Sequence, residues 1–117
     1  MSFLSTQAKQ SILSALADQE IVKILDCALV RERSVNEVIR ECDIPHTTAY
    51  RKIKWLLDNG LLLSIRNELT EDGKKFTLFR SVYKSLKINY EYGNIVVFAD
   101  YNIDPVQRMA ENLLSMH

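Results

Sequence analysis

The sequence predicts an α+β fold in which helices come first, antiparallel hairpins follow and one helix closes the chain. Three observations predict it. Up to residue 58 the apolar residues recur at helical spacing, and after Gly60 the period drops to two. The turn signals Glu71-Asp72-Gly73 and Gly93-Asn94 each divide two runs rich in β-branched, leucine and aromatic residues. The 117 residues are 47% hydrophobic and 26% charged, with three glycines and two prolines, which suits one globular domain and excludes a disordered chain.

Residues 1–16 form the first helix. Leu4, Ala8, Ile12, Ala15 and Leu16 make one stripe, with Phe3 and Leu13 beside it, suited either to a dimer interface or to packing on its own domain. Asp18 caps a second helix, which buries Ile21, Ile24, Leu25, Ala28 and Leu29. Arg31-Glu32-Arg33 then reads as a solvated link. Ser34 and Glu37 form a capping box for a third helix with the stripe Val35, Val38, Ile39 and Cys42. Pro45 cannot continue that helix and biases Ile44 to an extended conformation, so the chain turns between Cys42 and Pro45. A fourth helix, about 46–58, ends at Asn59-Gly60, which suits a left-handed cap.

This fourth helix carries two chemistries. Ala49, Ile53, Leu56 and Leu57 line one side and can be buried, while His46, Thr47, Tyr50, Arg51 and Lys54 lie on the other, where packing does not explain them. From His46 to Leu57 the chain holds Arg51, Lys52 and Lys54 and no acid. Two short helices joined by a tight turn, the second cationic on its outer side, have the layout of a helix-turn-helix. Such a face can enter a major groove roughly 12 Å wide: Arg51 can pair with a guanine, and Thr47 and Tyr50 can bond to bases or phosphates. His46, Thr47 and Thr48 stand at the helix start, where free N–H groups favour a phosphate. The competing reading is a solvated face on an ordinary surface helix.

After Gly60, Leu61, Leu63, Ile65 and Leu69 alternate with Leu62, Ser64, Arg66 and Glu68, as in a half-buried strand. Lys75 to Tyr83 return with Phe76, Leu78 and Val82 on one face, completing a winged helix-turn-helix core over residues 17–83, with the wing at about 66–77. The wing tip bears Glu71 and Asp72, which disfavour deep entry into an electronegative minor groove, but Lys74 and Lys75 can reach a phosphate. A second hairpin over 84–101 places Leu86, Ile88, Tyr90 and Tyr92 on one face against Ile95–Tyr101, and either extends the wing sheet or joins a subunit interface. An aromatic ligand platform is the lesser alternative to core packing. Asp104-Pro105 opens the final helix, 104–117, whose apolar face is Val106, Met109, Ala110, Leu113 and Leu114. The expected whole is an extended antiparallel wing sheet flanked by N- and C-terminal helices.

Charge and motifs narrow the function classes. Lys plus Arg equals Asp plus Glu at 15 each, so nucleic-acid binding must rest on a local patch and on dimerisation, not on net charge. No stretch is long and apolar enough to span a bilayer, and the N-terminus lacks a secretory pattern, so the expected location is cytoplasmic. Cys27 and Cys42 read as reduced core residues, with a disulfide or redox pair as the lesser alternative. Phosphate-loop, dinucleotide, zinc-protease and nucleophile-elbow motifs are missing. With His46 and His117 the only histidines, no metal site, cofactor or catalytic constellation is expected.

The run from Leu16 to Leu62, with LADQEIVKIL, SVNEVI and IPHTTAYRKIKWLLDNGLL, resembles the winged helix-turn-helix of ArsR-type and related archaeal transcription regulators. The resemblance covers about half the chain and is strongest around Thr48, Arg51, Leu56 and Gly60-Leu61. It implies a homodimeric regulator binding double-stranded DNA, with Thr47, Thr48, Tyr50, Arg51 and Lys54 at positions that commonly face the duplex. Metal-sensing members carry a cysteine pair in the helix corresponding to Ser34–Glu41, and this chain has none there. The alternative function, favoured by neutral charge and the acidic wing tip, is a protein-interaction module of the transcription machinery.

Overall fold

The computed structural model describes residues 4–115, apart from the side chains of Val106, Arg108 and Ser115. The expectations placed on Phe3, on Val106 and on the last two residues of the chain lie outside what is described. The elements are α1 (Thr6–Leu16), α2 (Gln19–Cys27), α3 (Val35–Cys42), α4 (His46–Asp58), β1 (Leu62–Leu69), β2 (Lys75–Ser81), β3 (Tyr83–Glu91), β4 (Asn94–Tyr101) and α5 (Ile103–Ser115).

Local chemistry accounts for the helix ends. Ser5 accepts from Ala8 N–H at the start of α1, and Asp18 accepts from Glu20 and Ile21 N–H at the start of α2. Ser34 and Glu37 make the full reciprocal capping box on α3. Asp43, at φ 53°, then takes the left-handed conformation that an Asp tolerates better than most residues. At the far end of α4, Leu61 N–H donates to Leu56 O and Gly60 N–H to Leu57 O. With Gly60 at φ 75°, this is a Schellman cap, and it turns the chain into the first strand.

One core unites the helices with the base of the wing. Ile12 and Ala15 of α1, Ile21 and Ile24 of α2, Val38 of α3, and Ala49, Ile53 and Leu56 of α4 meet Leu61, Leu62 and Phe79. Most of the α1 stripe is thus used within its own domain, with Leu4 packed against the core and Leu16 left exposed. Ser11 also helps to hold α1 in place, donating its hydroxyl at 3.0 Å to the Asn59 carboxamide that closes α4.

Three sequence expectations change. Arg31-Glu32-Arg33 is not a solvated link. Arg33 and Phe79 exchange both backbone hydrogen bonds, 3.0 and 2.9 Å, so residue 33 pairs with the wing, and its guanidinium donates to Cys27 O and Glu41. Glu32 meanwhile pairs with Arg66. In β1 the expected alternation holds from Leu63 to Arg66 and fails at the two ends, where Leu62 is buried along with Leu61 and Leu69 is 69% exposed. The base of the strand is covered on both sides, by the core and by α5, whose Pro105 and Met109 lie against Leu63 and Ile65, and a bulge between Ser64 and Arg66 shifts the register. In β2 the residue that reaches the centre is Phe79, fully buried, with Leu78 beside it, while Phe76 is only half-buried.

The second hairpin forms its own two-stranded sheet beside the wing and does not share its ladder. Val82 separates the two, giving its N–H to Leu61 O and accepting from Asn102 N–H. Tyr83 accordingly begins β3 and does not end β2. The connection is the two-residue turn Tyr92-Gly93, one place earlier than expected, with both residues at positive φ as a type I′ turn requires. Val97, Ala99 and Leu86 at its base pack inward, whereas Tyr90, Tyr92, Ile95, Val96 and Phe98 stay exposed. The last helix begins at Ile103, so Asp104 lies in its first turn and is not its N-cap; among the described side chains of α5 Pro105 is buried, Met109 is partly exposed beside Ile65, and Leu113 and Leu114 are exposed.

Phe79 carries the join between wing and helices, so Phe79→Ala is expected to cost about 3–5 kcal/mol of unfolding free energy in a urea titration. A loss below about 1 kcal/mol would show that the join lies elsewhere.

Candidate nucleic-acid interface

Helix α4 separates its faces as its sequence requires. Ala49, Ile53 and Leu56 are buried, and His46, Thr47, Tyr50, Arg51 and Lys54 are exposed on the outer side. Thr48 lies between the two and is half-buried. Pro45 precedes the helix and supplies no side-chain cap, which leaves first-turn N–H groups for an external acceptor. The His46 and Tyr50 rings, one turn apart, sit 4.6 Å between centroids and tilted by 41°, which restricts Tyr50 to one side of the helix.

The outer residues divide between two clefts. Tyr50 and Lys54, with Ile53, Leu57 and Asp58, form one wall of a groove of about 310 Å³. Ser34 to Asn36 and the wing residues Lys75, Phe76, Thr77 and Phe79 form the rest. Lys75 of the wing and Lys54 of the helix therefore flank one groove, although 21 positions separate them in sequence. Lys74 is exposed beside the tip, outside this lining. Arg51 faces the opposite cleft, of about 450 Å³, with Ser14, Asp18, Ile21, Lys52 and Trp55.

The charge of this surface differs from a count along the helix. Lys52 is withdrawn from it, because its ammonium lies 2.6 Å from Asp18 and 2.8 Å from Glu20 and is largely shielded from water. Lys54 has Asp58 at 3.0 Å, one turn away, but both remain exposed, where such a pair is weak and exchanges easily for a phosphate. On the body of the wing Arg66 pairs with Glu32 and Glu68, while at the tip Asp72 accepts from the Thr70 hydroxyl and keeps its charge. Arg51, Lys74 and Lys75 remain as exposed cations on the two elements. Asn36, an additional polar group in the groove, was not singled out from sequence because it belongs to another helix.

Among the described residues, no group of three His, Cys, Asp or Glu side chains is placed to hold a metal, and no helix is long and apolar enough to cross a membrane.

Four helices followed by a wing, with the exposed helix beside it, define a winged helix-turn-helix fold. No family model matches the chain, and no curated protein matches its sequence. Among solved structures, reduced HlyU from Vibrio cholerae N16961 superposes with a TM-score of 0.54 and 22% identity, covering 63% of this chain and 72% of that one. NolR from Sinorhizobium fredii aligns over 100% of this chain and 97% of its own, at 14% identity and a TM-score of 0.44. The likeness to HlyU establishes the shared fold.

The hydrogen bond from Lys52 holds the Asp18 carboxyl below the usual carboxylate range against the opposing effect of burial, with the Ile21 N–H, the Lys52 charge and the Glu20 N–H adding to it in that order. A carboxyl depressed in the folded state stabilises at pH values above its ordinary 3.8 and loses that stabilisation as pH falls through its folded value. In denaturant titrations, wild type should therefore lose more stability than Lys52→Met as pH falls below the ordinary 3.8 of Asp18, with a constant difference between them well above it. Equal slopes would remove Lys52 from this role.

Proposed function

We propose that the chain is a sequence-specific transcription regulator that binds double-stranded DNA as a homodimer, with α4 in the major groove and the wing near the backbone. One observation carries the reading: a single helix buries Ala49, Ile53 and Leu56 while leaving His46, Thr47, Tyr50, Arg51 and Lys54 uncovered. Burial accounts for the first set, and a duplex accounts for the second. Arg51 is the base-reading group, with Thr47 and Tyr50 bonding bases or phosphates, and His46 and Thr48 at the phosphate-facing helix start. Lys54, Lys74 and Lys75 neutralise the backbone on either side of the groove. The chain's net charge of zero is consistent with this division, since the affinity comes from a patch doubled by symmetry.

The uncovered apolar side chains support the dimer. Leu113 and Leu114 of α5 and the second hairpin, which shows Tyr90 and Ile95 on one face and Val96 and Phe98 on the other, offer the apolar surface that a second copy covers. Most of the stripe on α1 is already used within its own domain, so α5 takes the larger share of the interface. The two recognition helices would then lie about 34 Å apart and read a two-fold related site.

Fragments selected from random duplex DNA supply the site, and variants are measured on it by gel shift at two salt concentrations. Arg51→Ala is expected to lose about 1–3 kcal/mol on the selected site and to relax base preference there. Lys75→Ala is expected to weaken all duplexes alike and to lower the salt slope by about one. If wild type binds no duplex even at low salt, the regulator reading is wrong, and the protein-interaction reading takes its place.

A further inference from the structure

Cys27 ends α2 and Cys42 ends α3, and the two helices set both thiols on one surface cavity of about 430 Å³, shared with Lys23, Arg33 and Glu41. Each sulfur bonds to the helix of the other. The Cys27 thiol donates at 3.1 Å to Glu41 Oε2, on the residue just before Cys42. The Cys42 thiol donates at 3.7 Å to the carbonyl of Lys23, one turn before Cys27 and on the same helix face. This crossed pattern brings the sulfurs side by side. Both cysteines are half-buried, so a small oxidant can reach them through the open cavity.

The surroundings of Cys27 are the more strongly polar-bonded. Burial, followed by the hydrogen bond to Glu41 and by the charge and hydrogen bonding of Cys42, pushes the Cys27 thiol up to about 12. Arg33 opposes that shift without overcoming it. Glu41 is held below its ordinary range by the Cys27 hydrogen bond and by Arg33 and Arg31, so it is ionised at neutral pH and accepts from Cys27. Because the Glu41 carboxylate is placed to take the Cys27 proton, Cys27 is the resolving thiol and Cys42 meets the oxidant first.

We propose that Cys27 and Cys42 are an oxidisable dithiol that closes reversibly into a disulfide between α2 and α3. With a peroxide as oxidant, the Cys42 thiolate attacks one peroxide oxygen and becomes a sulfenic acid, and the other oxygen leaves as water. The Cys27 sulfur then attacks the sulfenic sulfur, its proton passes through the Glu41 carboxylate to the departing hydroxide, and a second water leaves. Two thiols and one hydrogen peroxide thus give one disulfide and two waters, with two electrons passing from sulfur to oxygen. Closure draws the two Cα atoms to within about 7 Å and so fixes the end of α3. Asp43 and the turn into α4 follow directly, so the crosslink acts on the entry to the outer-face helix.

The test is a thiol count on the full chain before and after stoichiometric hydrogen peroxide, followed by mass spectrometry of a non-reducing digest. The expected result is two free thiols falling to none, a mass lower by about 2 Da, and a Cys27–Cys42 peptide pair formed within one chain and released by dithiothreitol. Cys27→Ser should stop at a sulfenic acid on Cys42 that dimedone traps. Cys42→Ser should form no intrachain link and react about tenfold or more slowly than wild type, since the thiol it retains stays bonded to the Glu41 carboxylate. Retention of both thiols, links only between chains, or higher oxidation without a link would overturn the proposal. None of these readouts uses DNA, so their failure is separable from failure of the regulator reading.

Discussion

The backbone exchange between Arg33 and Phe79 is the constraint on which the geometry of the molecule depends. It places one residue of the α2–α3 connection into the wing, and the Phe79 ring follows into the core between helices and strands. Neighbouring groups reinforce it. Ser81 gives its hydroxyl to Leu25 O and its N–H to Ala28 O, while Arg80 and Asn102 donate to Leu29 O. The polar backbone at the end of α2 is therefore satisfied largely by the returning strand and by the residue that precedes α5. A wing held this way has a defined distance from α4, and the groove between Tyr50, Lys54 and Lys75 exists because of it.

Charge is spent in two ways on the same helix. Lys52 is turned inward to acids at the start of α2 and contributes to holding α4 in place, while Arg51 and Lys54 stay outside. The outer face of α4 is therefore less cationic than the run Arg51-Lys52-Ile53-Lys54 suggests. The same partition appears near the α2–α3 link, where Arg33 satisfies Cys27 O and Glu41 and leaves two thiols facing a common cavity. Arginine in this protein organises backbone carbonyls and carboxylates as much as it offers charge to a partner.

Residues whose role depends on near neighbours were legible from sequence. The capping box Ser34/Glu37, the cap at Asp18, the stop at Asn59-Gly60 and the two faces of α4 all follow from contacts within a few positions. Where a residue is covered by something distant, local pattern misled. Leu62 was expected on the outer face and is buried, since α5 and the core cover the base of β1 from both sides. Tyr90 and Tyr92 were expected to share a packed face with Leu86, yet are 71% and 98% exposed because the hairpin runs past the core that covers its base.

By itself, the sequence determined the caps at Asp18, Ser34 and Asn59-Gly60, which side of each helix is apolar, and that an outward cationic helix precedes a hairpin. These are consequences of backbone capping and of the 3.6- and 2-residue periods, which act over one or two turns. Only the tertiary structure decided that Lys52 leaves the charged face, that Lys75 joins Lys54 across a groove, and that Cys27 meets Cys42. Each depends on packing between elements separated in the chain, and no short-range pattern encodes the angle at which two helices and a wing come together.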